Sequence, residues 1–187
     1  MCSSLSATDT NGTIYDAGGP TGNYSNNQNC KFLITPGCNV GITITFSNFN
    51  LENSYDFLYV YDGSSTSSRL LLTATGNSIP SSVTANSGTM LLVFMSDLSV
   101  SYTGFIANWT TQKVHTKPIA YFNFPTINPP FNSPVFFRDM SLNYPNRWHC
   151  DFGDGDTSNL QNPYHSYKQY DTFTVKLIAF NCHAKDS

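Results

Sequence analysis

Glu52-Asn53-Ser54-Tyr55-Asp56-Phe57-Leu58-Tyr59-Val60-Tyr61-Asp62-Gly63 is the stretch that decides the fold. From Phe57 to Asp62 large side chains alternate in type, aromatic then aliphatic, with the period of two that marks a β-strand. The Asp62-Gly63 step predicts a tight hairpin turn, because glycine accepts positive φ. Two carboxylates, Glu52 and Asp56, precede the strand. A third, Asp97, follows the apolar run Met90 to Met95 in Phe94-Met95-Ser96-Asp97. Outward from this strand the same signal recurs. Val40, Ile42, Ile44 and Phe46 alternate with Gly41, Thr43 and Thr45. Phe32 to Ile34, Leu70 to Leu72, Phe105 to Trp109 and Thr172 to Phe180 read as further strands between Gly/Ser/Asn/Pro turns. No segment holds a 3.6-residue apolar period with helix caps, so the expected class is all-β, two sandwiches in tandem.

Composition agrees. Charged residues are 11% of the 187, against about a quarter in ordinary domains, so three carboxylates converging on one end of a sandwich are conspicuous. Such a set makes a hard-cation site, because calcium takes six to eight oxygen ligands at long, flexible distances. The net charge of −3 comes without a basic stripe, which makes nucleic acid a poor partner. No apolar run reaches about 18 residues, so no membrane span is expected. No signal peptide precedes Cys2, and the sequence is expected to begin as an expressed or processed fragment.

The five cysteines, Cys2, Cys30, Cys38, Cys150 and Cys182, contain no C-x-x-C pair. Zinc is therefore disfavoured, and disulfides in an oxidising compartment fit better, with one cysteine left over. Near residue 112 the charge changes. Six acidic residues face Lys31 and Arg69 before it (−4), whereas seven basic residues face six acidic ones after it (+1). Residues 1–111 and 118–187 are read as two domains. The polar segment 112–117, which ends before Pro118, is read as the linker.

Residues 2–111 resemble a CUB domain, a compact extracellular β-sandwich. The resemblance rests on Cys2, Gly12-Thr13-Ile14, Tyr24-Ser25-Asn26 with Cys30 six residues after the tyrosine, Phe46 and Phe49, Asp56 to Gly63, and Phe94 to Asp97 followed by Gly104-Phe105. The insertion Tyr15 to Pro20 is most similar to the bacterial branch. The resemblance implies a Cys2–Cys30 bridge, with Cys30–Cys38 as a competing pairing, and leaves no second bridge: its slots fall near Ser54 and Thr75. It also implies a Ca²⁺ site formed by Glu52, Asp56 and Asp97, helped by backbone carbonyls of the loop from Leu98 to Ser101, Ser99 among them. Val100 stands where the family often has Asn, so a shallower site is expected.

Residues 118–187 resemble a PKD domain, an immunoglobulin-like sandwich of secreted and cell-surface proteins. The carriers are Trp148-His149-Cys150-Asp151-Phe152-Gly153-Asp154-Gly155, then Ser158, Asn162-Pro163, His165, Tyr167 and Tyr170 to Ala179. The resemblance implies that Trp148 and Phe152 are core, that His165 hydrogen-bonds within a corner, and that Cys150 and Cys182 lie on neighbouring strands where they could bridge. It also implies one more strand after the turn from Asn181 to Asp186, so the domain is expected to lack its last strand. That would leave a sheet edge open to pairing.

No G-x-S-x-G elbow, H-E-x-x-H or phosphate-binding glycine loop occurs, and small sandwiches offer little concave surface, so an enzyme is not expected. Asp151, Asp154 and Asp156 are explained by the turn motif. The sequons at Asn11, Asn23 and Asn108 are about as many as chance provides, and no glycosylation is inferred. The expected function is a secreted or cell-surface binding module, part of a larger secreted protein. The CUB resemblance implies that Ca²⁺ organises its loops and that a Lys or Arg of an extracellular protein partner meets the carboxylates, with the PKD domain as spacer. The alternative is a glycan- or substrate-binding appendage of a secreted hydrolase acting through exposed aromatics: Tyr15, Tyr24, Tyr55 or Tyr102.

Overall fold

The computed structural model describes residues 5–124 and 128–187, so Cys2 lies outside the described residues. The chain divides into two compact units, Met1–Lys113 and Val114–Ser187.

The first unit is built from β1 (Leu5–Ala7), β2 (Asn11–Tyr15), β3 (Asn29–Ile34), β4 (Asn39–Asn50), β5 (Phe57–Asp62), β6 (Arg69–Ala74), β7 (Val83–Ala85), β8 (Met90–Met95) and β9 (Gly104–Lys113). They form a five-stranded sheet, β1-β3-β8-β5-β6, and a four-stranded sheet, β2-β9-β4-β7. Every pairing is antiparallel except β1 with β3. The two sheets close on one core, which contains Ile42 and Ile44 of β4, Leu58 and Val60 of β5, and Met90, Leu92 and Phe94 of β8. Alternation puts these side chains inward, where each large aliphatic or aromatic group contributes roughly 1.5–3 kcal/mol. On the opposite face of β5 the rings of Phe57, Tyr59 and Tyr61 form a ladder, 5.9 and 6.5 Å between successive centroids.

Two departures from simple alternation matter. In β4 the register slips between Phe46 and Asn48. This bulge lets both Phe46 and Phe49 enter the core, where their rings meet edge-on at 5.9 Å. β5 does not turn directly at Asp62-Gly63 as the sequence suggested. Asp62 pairs with Arg69, so residues 63–68 form a wider loop, and the Asp62 carboxylate instead accepts the Ser87 amide at 2.9 Å. Gly63 still uses its positive φ of 136°. β9 runs on through Gln112 and Lys113, which pair with Gly41 and Asn39, so the strand reaches into the segment read as linker.

The second unit holds β10 (Phe122–Asn123), β11 (Val135–Phe136), β12 (Arg138–Asp139), β13 (Arg147–Asp151), β14 (Thr157–Ser158), β15 (Tyr164–His165), β16 (Lys176–Phe180) and β17 (Lys185–Asp186). The main sheet runs β14-β13-β16-β17, beside two-stranded pairs β10-β12 and β11-β15. Val135, Phe137, Cys150, Phe152 and Leu177 form its core. The strand expected from Thr172 begins only at Lys176, because Lys176 pairs with Asp151, the last residue of β13. Beyond that point the 172–175 backbone has no ladder partner in β13 and runs against the Gly153 turn. The turn expected from Asn181 to Asp186 closes early, and Lys185 and Asp186 pair back onto Phe180 and Ala179.

The bridge Cys150–Cys182 does not form. Cys150 is a buried free thiol, opposite Leu177 in the β13–β16 register. Cys182 lies past the end of β16, in the turn that returns to β17, and is not bonded to Cys150. Cys30, Cys38 and Cys182 are each disulfide-bonded. Burial pushes the Cys150 thiol up to about 11, with the Asp151 charge adding to the shift.

Candidate metal centre

The registers Phe57–Met95, Asn29–Met95, Asn50–Gly104 and Tyr15–Ile106 place three loops at one end of the first unit. These are residues 16–28, 51–56 and 96–103. Glu52, Asp56 and Asp97 sit on them, and each offers a carboxylate oxygen within 4.8 Å of the others.

The 51–56 loop is a compact turn. The Asp56 amide donates to the Glu52 carbonyl at 3.1 Å and the Leu51 amide to the Gly76 carbonyl at 2.8 Å. Ser54, at φ 68°, donates its amide to Thr75 Oγ1 at 2.9 Å, and Thr75 Oγ1 donates to the Glu52 carbonyl at 3.1 Å. A hydrogen-bonded pair therefore fastens the place where the resemblance leaves the family's second bridge missing.

Asp56 is fully buried and satisfied on both oxygens. Oδ1 accepts the Asp97 amide at 2.8 Å, and Oδ2 accepts the Tyr24 hydroxyl. Tyr24 Oη in turn accepts the Glu52 amide at 3.0 Å. Tyr24, expected among the exposed aromatics, is only 1% exposed, with its ring edge-on to Phe94 at 5.1 Å. The phenol thus joins the 16–28 loop to the 51–56 loop, and Asp56 carries the connection on to Asp97. Burial, together with the hydrogen bond to Asp56, pushes its pKa well up.

The 96–103 loop is pinned from the 16–28 loop. The Asn27 amide reaches the Asp97 carbonyl at 2.6 Å and the Tyr24 amide the Tyr102 carbonyl at 3.1 Å. Asn26 Nδ2 donates to the Leu98 carbonyl at 3.1 Å and Asn23 Nδ2 to the Ser101 carbonyl at 3.0 Å. Ser99 gives its amide to Asp97 Oδ1 at 2.9 Å. Val100 has φ 55°, a left-handed conformation that is a genuine outlier for a β-branched residue. At the loop's exit the buried Asp16 accepts the Phe105 amide at 2.7 Å and the Gly18 amide at 2.7 Å. Sequence reasoning weighed neither Asp16 nor the supporting role of Tyr24, since nothing local announces a cross-loop bond.

The donor set suits a hard cation. Glu52 Oε2 is buried without a hydrogen-bond partner. Neither ion pair found among the described residues involves the three acids. Burial, then the charges of Asp97 and Asp56, raises the Glu52 pKa. Three like charges crowded without a counter-charge are what a divalent ion relieves. The tyrosines named as ligand contacts, Tyr55 and Tyr102, are 63% and 41% exposed, on the loops that carry Asp56 and Asp97.

In a second acidic group, Asp154, Asp156 and His165 in the second unit, the Asp154 carboxylate is already satisfied internally. Asp154 Oδ2 meets His165 Nε2 at 2.7 Å and Asp154 Oδ1 accepts the Asp156 amide at 3.1 Å. His165 stacks on Phe152 at 4.1 Å, so this arrangement is a locked corner.

Among known proteins, human cubilin is 34% identical over 147 residues, 76% of this chain and 4% of cubilin. Rat multiple epidermal growth factor-like domains protein 8 is 40% identical over 89 residues, 47% of this chain and 3% of that protein. The chain thus spans only a few per cent of the length of these relatives. The solved MASP-1 CUB2 domain bound to Ca²⁺ superposes with a TM-score of 0.51 at 21% identity, covering 59% of this chain and 99% of that one. The full extracellular region of zebrafish Gpr126/Adgrg6 gives 0.54 at 18% identity, covering 96% of this chain and 28% of that one. The family model of the CUB domain matches residues 2–109, and the chain belongs to that family.

Proposed function

We propose that the chain is a non-catalytic extracellular binding module that takes a protein ligand in a calcium-dependent way through the loop end of its first unit. The observation that carries this is the triad itself. Glu52, Asp56 and Asp97 offer oxygens within 4.8 Å of one another, and Glu52 Oε2 is buried without a partner. Bound Ca²⁺ would supply the positive charge that the triad lacks. Asp56, immobilised by Tyr24 and the Asp97 amide, fixes the centre of the site. Glu52 and Asp97 are partly exposed, so they also present oxygen to an incoming Lys or Arg of the partner. The Asn and Tyr24 hydrogen bonds hold the loops in place beforehand, which lowers the ordering cost of association. The solved MASP-1 CUB2 domain, bound to Ca²⁺, supports the reading by fold. Three disulfide-bonded cysteines support an oxidising, extracellular setting. No helix among the described residues is long and apolar enough to cross a membrane.

We read the second unit as a PKD-like spacer, and the whole as part of a larger secreted protein. The exposed Tyr15, Tyr55 and Tyr102 favour a second reading, glycan binding by an accessory segment. Calorimetric titration of Ca²⁺ into chelator-treated protein, beside Asp97→Ala, tests the first. Saturable binding with Kd of about 10⁻⁴–10⁻³ M, lost in the variant, is expected. No heat and no melting shift at millimolar Ca²⁺ overturns it. Polysaccharide binding that survives chelation establishes the second.

A further inference from the structure

We propose that the partner's basic residue is embedded in an apolar segment, because the loops that carry the acids also display apolar side chains; this rests on the calcium-dependent reading above. Tyr55, beside Asp56, is 63% exposed. Leu98, Val100 and Tyr102, on the loop that Asp97 opens, are 79%, 48% and 41% exposed. Tyr15 and Met95, at the strand ends that open the neighbouring loops, are also exposed, at 43% and 44%, so apolar surface continues along this end of the unit.

The display is held open by the fold. Hydrogen bonds fix the carbonyls of Asp97, Leu98, Ser101 and Tyr102, so the loop cannot collapse its side chains onto the core. Val100 keeps a left-handed backbone at φ 55°. That conformation is a steric outlier for a β-branched residue, and such strain clusters at binding sites. No cationic residue stands in this loop from Asp97 to Thr103 or in the turn from Leu51 to Asp56, so the negative charge that three carboxylates keep after Ca²⁺ binds is left for the partner to meet. Charge complementarity therefore selects a Lys or Arg. The displayed apolar side chains select what flanks it: aromatic or aliphatic side chains within a residue or two, which exclude water from the ion pair and strengthen it. An acidic or strongly hydrated flank would meet both the wrong charge and an apolar wall.

The test is a displayed library of random peptides with a fixed central lysine, selected on the full chain in millimolar Ca²⁺ and eluted with EGTA. Eluted sequences should be enriched in Phe, Tyr, Trp, Leu and Ile beside the lysine. Tyr55→Ser combined with Tyr102→Ser should weaken a selected peptide by about tenfold while leaving calorimetric Ca²⁺ binding unchanged, which also shows that the variant is folded. Selected lysines with polar or acidic flanks, or an unchanged affinity in the double variant, overturn this proposal alone. If nothing elutes with EGTA and Ca²⁺ produces no heat, the calcium reading fails and the proposal falls with it.

Discussion

Tyr24 shows how one side chain positions a site that it does not itself form. Its hydroxyl donates to Asp56 and accepts from the Glu52 amide, so Tyr24→Phe strips a partner from a fully buried carboxylate and from an amide. Leaving such groups unmade costs about 1–3 kcal/mol. Thermal melting of the ion-free protein should show that loss, and Ca²⁺ calorimetry should show weaker binding. An unchanged Ca²⁺ affinity would mean that Tyr24 only packs. At Glu52 the sign of a pH effect follows from the raised pKa. A carboxyl that holds its proton more tightly when folded stabilises the fold below its ordinary pKa, and that contribution disappears as pH rises through the raised value. The ion-free protein should therefore gain stability on mild acidification. Glu52→Gln should flatten part of that gain and leave the part due to Asp16, whose pKa burial also raises. With Ca²⁺ present the trend reverses, because proton and ion compete for Glu52. Melting against pH, with and without EGTA, checks both signs.

Among the elements, the start of β9 has no room for a side chain. Gly104 has φ 68°, and a Cβ there would lie 1.8 Å from Asp16 Oδ2. Gly104→Ala should cost at least about 2 kcal/mol, read as a lower denaturation midpoint, and should loosen the loop that carries Asp97. In the second unit, Cys150→Ala should cost about 1 kcal/mol rather than the several of a lost bridge. Cys150 should resist alkylation until denaturant exposes it. The strands around these points were readable wherever one face is buried: Val40 to Phe46 and Phe57 to Asp62 alternate, and alternation is a local signal. The three acids were readable as chemistry because carboxylates are scarce in this chain. Cross-loop bonds were not, since Tyr24 with Asp56 and Asp16 with Phe105 are 32 and 89 residues apart. The register that leaves Cys150 opposite Leu177 was hidden too. A strand's pattern says which face is buried, not which residue stands opposite.

Across the whole molecule two acidic clusters differ in how they are neutralised, and one comparison separates them. Asp154 is held below the usual carboxylate range: burial pushes it up, but the hydrogen bonds from His165 and the Asp156 amide outweigh that. Its contribution is present above the ordinary carboxylate pKa and is lost as pH falls through the lowered one. Asp154→Asn should lower the melting temperature at neutral pH and leave the Ca²⁺-induced shift intact. Asp97→Ala should do the opposite. If Asp154→Asn also removed the Ca²⁺ response, the ion would belong to the second cluster. Finally, β9 bears on how the first unit would carry a load. The chain leaves this unit through Lys113, at the end of a strand paired at ten positions with β4 and at five with β2. A pull on that exit along the strand axis shears both ladders together instead of unzipping them one bond at a time. The unit should therefore yield at high force when its exit strand is pulled, which single-molecule stretching measures.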